Sequence, residues 1–230
     1  MIKKIKKLFD FHERFDDLKS RSNEILAYQH LSRYLPDKYF TKTSYSMNYV
    51  PILQILNDII IYKPSKVLEF GGGVSTIILS KAITDLKLKT NLYTVDNDLS
   101  WLSYIKESVS ENQCLNLCHC PIKNHENKSF TKWYDLSGCP VLMDKNQFDM
   151  IIIDGPWSKI APNARYGAVE YILSNNRNSN LIVYVDDIDR ADELAIFNDL
   201  RIKLNLKGVK YYRYGRLSNQ NNIETRPFKL

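Results

Sequence analysis

The chain has 230 residues, 44% of them hydrophobic and 25% charged, with a formal net charge of +6. That balance suits one globular domain with some decoration, and it supplies a core that needs no disulfide or metal staple. No apolar run reaches the roughly 18 residues needed to span a membrane, and the basic start has no long apolar run behind it, which argues against a secretory signal.

The basic excess suits an anionic partner such as nucleic acid, an anionic glycan or a lipid surface; a Lys- and Asn-rich proteome would give the same excess. Cys114, Cys118, Cys120 and Cys139 lack the paired CxxC spacing of a zinc site. Cys118-His119-Cys120 could ligate a metal, but the set is expected to be reduced, half-buried thiols of a cytoplasmic protein.

In chain order, residues 1–48 read as an N-terminal helical extension and residues 49–230 as the main domain. Ile2, Ile5, Leu8 and Phe9 share one helical face with lysines opposite. Such a helix can pack on its own domain, form a homodimer contact or lie on a membrane surface. Pro51 fits a first helical turn, and Ile52, Leu53, Ile55, Leu56, Ile59 and Ile60 follow as a wide apolar face. Lys66 to Phe70 reads as a strand entering three glycines. Ser75 or Thr76 then caps a helix carrying Ile77, Ile78, Leu79, Ala82, Ile83 and Leu86.

The alternation continues. Leu92 to Val95 is a strand ending at Asp96, Trp101 to Val109 a helix, and Leu115 to Cys120 a weaker strand. Residues 121–146 read as an irregular excursion. Phe148 to Ile153 and Leu181 to Val185 are strands buried on both faces, separated by a helix over Ala164 to Leu173. A helix over Ala191 to Leu204 leads to a strand over Val209 to Tyr214, with Ile223 to Leu230 expected to pair with it. Alternating strands and helices predict a parallel sheet covered on both faces. Ligands of such sheets bind beyond the carboxyl ends of the strands. That rule gathers Glu69 to Ser75, Asp96, His119 to Lys123, Asp154 to Trp157 and Asp186 to Arg190 around one crevice.

Within the crevice, Glu69-Phe70-Gly71-Gly72-Gly73 is a glycine turn that lets a ligand approach the backbone. The helix after it offers free N–H groups to a carboxylate or phosphate. Counted from Gly71, the last position of a G-x-G-x-x-G fingerprint is Thr76. Glu69 would also repel a pyrophosphate and attract a cationic group, such as the amino group or sulfonium region of S-adenosylmethionine. Asp96 can accept hydrogen bonds from both hydroxyls of a ribose.

Val67-Leu68-Glu69-Phe70-Gly71-Gly72-Gly73 resembles motif I of the class I S-adenosylmethionine-dependent methyltransferases. Tyr93-Thr94-Val95-Asp96 resembles their second strand with its ribose-binding acid, and Phe148 to Pro156 resembles their fourth strand. The resemblance covers roughly residues 50–215. It implies a Rossmann-like three-layer αβα sandwich, with a seven-stranded, mostly parallel sheet and an antiparallel last strand. It also implies methyl transfer from a sulfonium to a nucleophile. Glu69, Gly71, Gly73, Ser75 and Asp96 are then the expected donor-binding residues. The family's adenine-binding carboxylate or amide after strand three has no counterpart in Leu117-Cys118-His119-Cys120-Pro121.

Asp154, Asp186 and Asp187 are expected to converge on the crevice, and three such carboxylates repel one another unless neutralised. A divalent cation with oxygen ligands would do so. The arrangement is similar to metal-dependent O-methyltransferases acting on catechols and sugar hydroxyls, in which magnesium holds the acceptor hydroxyl. Asp154, Asp186 and Asp187 are thus candidate magnesium ligands, and Asp154 and Asp187 candidate catalytic residues. Arg165, Lys159 or Arg190 could neutralise the acids instead. His119 and Lys123 are candidate bases.

The expected activity is methylation of a hydroxyl on a sugar, glycan or small molecule. An alternative comes from Asp154-Gly155-Pro156-Trp157, which resembles the Asp-Pro-Pro-Trp motif of adenine-N6 methyltransferases acting on nucleic acid; Gly155 breaks it. A non-catalytic binding protein on the same fold is a further alternative.

Overall fold

A computed structural model describes residues 2–36, 41–109, 112–143, 148–175, 178–220 and 223–228, with side chains from residue 15 onward. The expected stripe of Ile2, Ile5, Leu8 and Phe9 therefore lies outside the described side chains. The helix that carries it is α1 (Ile2–Leu31). Its last turns bury Ala27 and Leu31 in the same core as Ile52, Ile55 and Ile59 of α2 (Tyr49–Tyr62).

The two helices are also joined through a helix end. The first N–H groups of any α-helix lack internal partners. The Glu24 carboxylate on α1 accepts those of Tyr49 and Val50, at 2.7 and 3.1 Å. At the other end α2 stops at Lys63 in a left-handed conformation, directly before Pro64.

The chain then winds β1 (Lys66–Phe70), α3 (Val74–Asp85), β2 (Asn91–Asp96), α4 (Leu99–Ser108) and β3 (Leu115–His119). A small antiparallel hairpin of β4 (Ile122–Asn124) and β5 (Lys132–Tyr134) follows, and a 3-10 turn leads to the short α5 (Pro140–Met143). The remaining elements are β6 (Met150–Ile153), α6 (Gly167–Asn175), β7 (Ile182–Val185), α7 (Ala191–Lys203), β8 (Gly208–Lys210) and β9 (Gly215–Ser218).

Seven strands form one sheet in the order β3-β2-β1-β6-β7-β9-β8. β3, β2, β1, β6 and β7 run parallel, and β9 is antiparallel to both β7 and β8. Side chains alternate across the sheet with the period of a strand. Val67, Met150 and Ile152 join α2 and α3 on one face, while Leu68, Ile151 and Ile153 join α6 and α7 on the other. Strand order reverses at β1, so a crevice opens beyond the carboxyl ends of β1 and β6.

Three expectations are corrected. The excursion at 121–146 contains the β4–β5 hairpin, whose strands of three residues are too short to show periodicity. The strand expected over Val209 to Tyr214 spans Gly208–Lys210, and its antiparallel partner is Gly215–Ser218 and not 223–230, of which 223–228 are described and contain no strand. Ser75 and Thr76 sit inside the first turn of α3, whose N-cap is Gly73; Thr76 still serves the helix end, because its hydroxyl accepts the Gly73 N–H at 2.9 Å.

Candidate active site

The loops that end β1 and β6 meet backbone to backbone. Gly71 has φ +94°, and a Cβ there would stand 2.7 Å from Gly155 N and 2.9 Å from the Asp154 carbonyl carbon. Only glycine relieves both the backbone angle and the clash. Gly71 N–H donates to Val95 O at 2.8 Å, which fixes the turn against β2.

Asp96, at the end of β2, closes that turn from the far side. Its Oδ2 accepts the Gly72 N–H and its Oδ1 the Asp98 N–H, both at 2.9 Å. Burial raises its pKa, against those backbone hydrogen bonds. Trp101, on the first turn of α4, donates its indole N–H to Gly72 O at 2.7 Å. Asp98 caps α4 through the Trp101 N–H.

Glu69 does not face the crevice. It is fully buried, and its carboxylate accepts from Ser75 Oγ and Thr76 Oγ1 at 2.5 Å each and from Thr94 Oγ1 at 2.8 Å. Burial pushes its pKa up while these hydroxyls hold it down. The expectation has Glu69 meeting a cationic donor group; the structure places it beneath the loop, outside the cavity lining, with three hydroxyls on its carboxylate. Ser75, expected at the donor, is one of those partners and is buried as well. Gly73 has open space around it and does not line the cavity.

At the ends of β6 and β7, Asp154, Asp186 and Asp187 do converge. Each offers a carboxylate oxygen, and these atoms all lie within 4.8 Å of one another. Arg165, its side chain only 6% exposed, enters the group: Nη2 is 3.3 Å from Asp154 Oδ1, Nη1 3.4 Å from Asp187 Oδ2, and Nε 3.7 Å from Glu193 Oε1. Arg190 reaches Asp187 at 2.9 Å, and Arg213 pairs with it as well. Among the described residues Asp186 makes no ion pair.

The charges respond accordingly. Burial, then Asp186, push Asp154 well above the ordinary carboxylate range, although Arg165 opposes them. Burial and Asp187 push Asp186 up to about 7. For Arg165, burial works against the charge, but Asp154, Asp187 and Glu193 outweigh it and its pKa rises.

Both groups line one cavity of about 680 Å³. Gly71, Gly72 and Asp96 line it together with Asp154, Asp186 and Asp187. Its wall also includes Tyr134 of β5, fully buried, with its hydroxyl beside Gly155. Tyr45 and Trp157 meet edge to face at the rim, ring centroids 5.8 Å apart. Lys159 lies over the Trp157 ring at 5.8 Å.

His119 and Lys123 do not line this cavity. His119 Nε2 lies 3.1 Å from the Asn97 carbonyl, and Lys123 pairs with Asp135 at 2.9 Å. Sequence reasoning missed Tyr134, Trp101 and Tyr45. Tyr134 comes from a segment without periodicity, and Tyr45 from a loop remote in sequence. Trp101 carried a detectable signal, since Asp98 followed three residues later by the start of an apolar helix is capping chemistry.

No family model matches the chain, and no curated protein does. Among solved structures it is similar to the SAH-bound methyltransferase PaMTH1 of Podospora anserina, with 12% identity and a TM-score of 0.58 over 90% of this chain and 95% of that one. It is also similar to the O-methyltransferase of Bacillus cereus in complex with SAH, with 16% identity and a TM-score of 0.50 over 86% and 91% of the two chains. No helix among the described residues is long and apolar enough to cross a membrane. In strand order, strand direction and layering, the chain has the Rossmann-like fold of the class I methyltransferases.

Proposed function

We propose that this protein is an S-adenosylmethionine-dependent methyltransferase that methylates a hydroxyl of a sugar, glycan or other small molecule. One observation carries the reading. A single cavity is lined both by a glycine turn with Asp96 and by a buried acid cluster. That is the layout needed to hold a sulfonium donor and a hydroxyl acceptor side by side. The two structures cited above were both solved with SAH, which supports the same donor class.

In this reading the Gly71–Gly72 turn and the start of α3 take the methionine carboxylate. Asp96 accepts the ribose hydroxyls with the lone pairs its two backbone donors leave free. Glu69 and Ser75 act beneath the loop as positioning residues. Asp154 and Asp187, both held by Arg165, orient the acceptor. Catalysis rests chiefly on placing the acceptor oxygen in line with the methyl group. Residues 1–48 are an extension to the methyltransferase domain at 49–230, and they contribute Ser44, Tyr45 and Ser46 to the cavity wall.

The acid cluster also fits a divalent cation. Among the described residues Asp154, Asp186, Asp187 and Glu193 face Arg165, Arg190 and Arg213, four acids to three arginines, and Asp186 has no ion pair there. Hard carboxylate oxygens suit magnesium. Asp154, Asp186 and Asp187 would hold it, and when bound it would lower the pKa of an acceptor hydroxyl.

Isothermal titration with S-adenosylmethionine tests the donor assignment. Binding by the wild type and a loss of at least about tenfold in Asp96→Ala are expected, since hydrogen bonds to a charged group contribute about 1.5–3 kcal/mol. No binding by the wild type, or equal binding by the variant, would refute it. Turnover insensitive to chelator would remove magnesium while leaving the donor assignment standing.

A further inference from the structure

The thiols of Cys118 and Cys139 touch. Cys139 Sγ donates to Cys118 Sγ across 2.7 Å, and both residues are 8% exposed. Cys118 lies on β3, the edge strand of the sheet, opposite Val95 of β2. Cys139 closes the 3-10 turn after β5, where its N–H donates to Leu136 O and its carbonyl accepts from Leu142 N. Two independently anchored backbones thus present sulfur to sulfur. The neighbours they share a core with are aromatic and aliphatic, including Phe130, Trp133 and Tyr171. The Tyr171 hydroxyl is itself buried with no hydrogen-bond partner among the described residues.

The other two cysteines are placed differently. Cys114 is partly exposed and directs its thiol to Asn112 Oδ1 and Ser80 O. Cys120 is fully buried, and its backbone N–H donates to Asp96 O.

We propose that Cys118 and Cys139 are a disulfide-forming pair that locks the hairpin carrying Tyr134 to the end of β3. Each thiol gives up its proton, one S–S bond forms between the two sulfurs, and the two electrons reduce a low-molecular-weight disulfide such as oxidised glutathione to two thiols. The closed loop contains both strands of the hairpin and the residue that walls the cavity next to Gly155. Burial raises the pKa of Cys118 and, to about 12, that of the nearby Cys120. Exchange in the folded protein is therefore slow, because the thiolate is the attacking species. The pairing does not depend on the methyltransferase reading.

The test uses the full chain in two arms. In one, folded protein is held with oxidised glutathione at alkaline pH. In the other, reduced and unfolded protein is refolded in a glutathione redox buffer, where every thiol is accessible. Alkylation after denaturation, followed by intact mass and peptide mapping, is expected to show two labels in place of four and one Cys118–Cys139 linked peptide in the refolded arm. Cys114→Ser and Cys120→Ser retain the link, and Cys118→Ser loses it. Four labels after refolding, or a link through Cys114 or Cys120, would overturn the pairing. The linked form is expected to melt about 5–10 °C above the reduced form, since a loop of this length is substantially restricted by cross-linking. An unchanged melting temperature with the link present would overturn the locking role.

Discussion

Arg165 and Asp154 form a buried ion pair, Nη2 to Oδ1 at 3.3 Å, in which the same guanidinium also serves Asp187 and Glu193. Removing one partner of a buried pair leaves an uncompensated charge, which costs about 3–5 kcal/mol. Here Asp154 and Glu193 would lose their arginine, while Asp187 keeps Arg190 and Arg213. Arg165→Met is therefore expected to lower stability by about that amount, read from urea unfolding midpoints. Arg165→Lys falls between, because an ammonium cannot fork to three acids. A Met variant within about 1 kcal/mol of wild type would mean that Arg165 neutralises nothing of consequence.

Asp186 gives a stability trend opposite to that of an ordinary surface acid. Its folded pKa, raised to about 7 by burial and by Asp187, lies above the unfolded value of about 3.9. The folded state thus binds the proton more tightly. The stability this group contributes is present below about pH 4 and is lost as pH rises through about 7. With divalent cations chelated, the stability difference between wild type and Asp186→Asn should move against the wild type across that interval. A difference that is flat, or that moves in its favour, would contradict the environment described for Asp186.

Much of this site can be read in the chain, because the signals are local. Gly71 to Gly73, Asp96 and Asp154 each sit at the end of an apolar run, and a parallel sheet brings such ends together whatever the loops do. Asp186 and Asp187 follow the same rule. What cannot be read is where a side chain points once it is there. Glu69 and Phe70 are neighbours on one strand and face opposite sides of the sheet. Glu69 points to hydroxyls at 75, 76 and 94, whose hydrogen-bonding role has no periodic signature. Tyr134 is hidden for another reason: strands of three residues are shorter than the alternation needed to recognise them.

Gly71→Ala tests the contact between the two loops. The residue has φ +94°, and its added carbon would meet the Asp154–Gly155 backbone at 2.7–2.9 Å. Backbone strain of this kind costs on the order of 1–3 kcal/mol, and the neighbouring backbone cannot swing aside as a flexible side chain would. The expected result is a destabilised protein with weakened donor binding. Gly73→Ala, where the added carbon meets nothing within 4 Å, should retain both properties. Equal behaviour of the two variants in thermal melts and titration would contradict the loop packing.

The last prediction separates a positioning role for Glu69 from direct contact with the donor. Its two oxygens accept three buried hydroxyls, so Glu69→Ala strands three donors away from water. Each unsatisfied buried group costs about 1–3 kcal/mol, and a loss of several kcal/mol in unfolding free energy is expected. Glu69→Gln keeps the shape and the acceptor oxygen, and the hydroxyls can rotate to accept from its amide. If Glu69 acts only beneath the glycine turn, the Gln variant should bind S-adenosylmethionine within about threefold of wild type. If Glu69 instead met the donor's ammonium, removing the charge would cost about 1.5–3 kcal/mol, or at least about tenfold in affinity. Titration of the Gln variant beside Asp96→Ala therefore assigns the two acids to different tasks: Asp96 to the donor, and Glu69 to the loop that receives it.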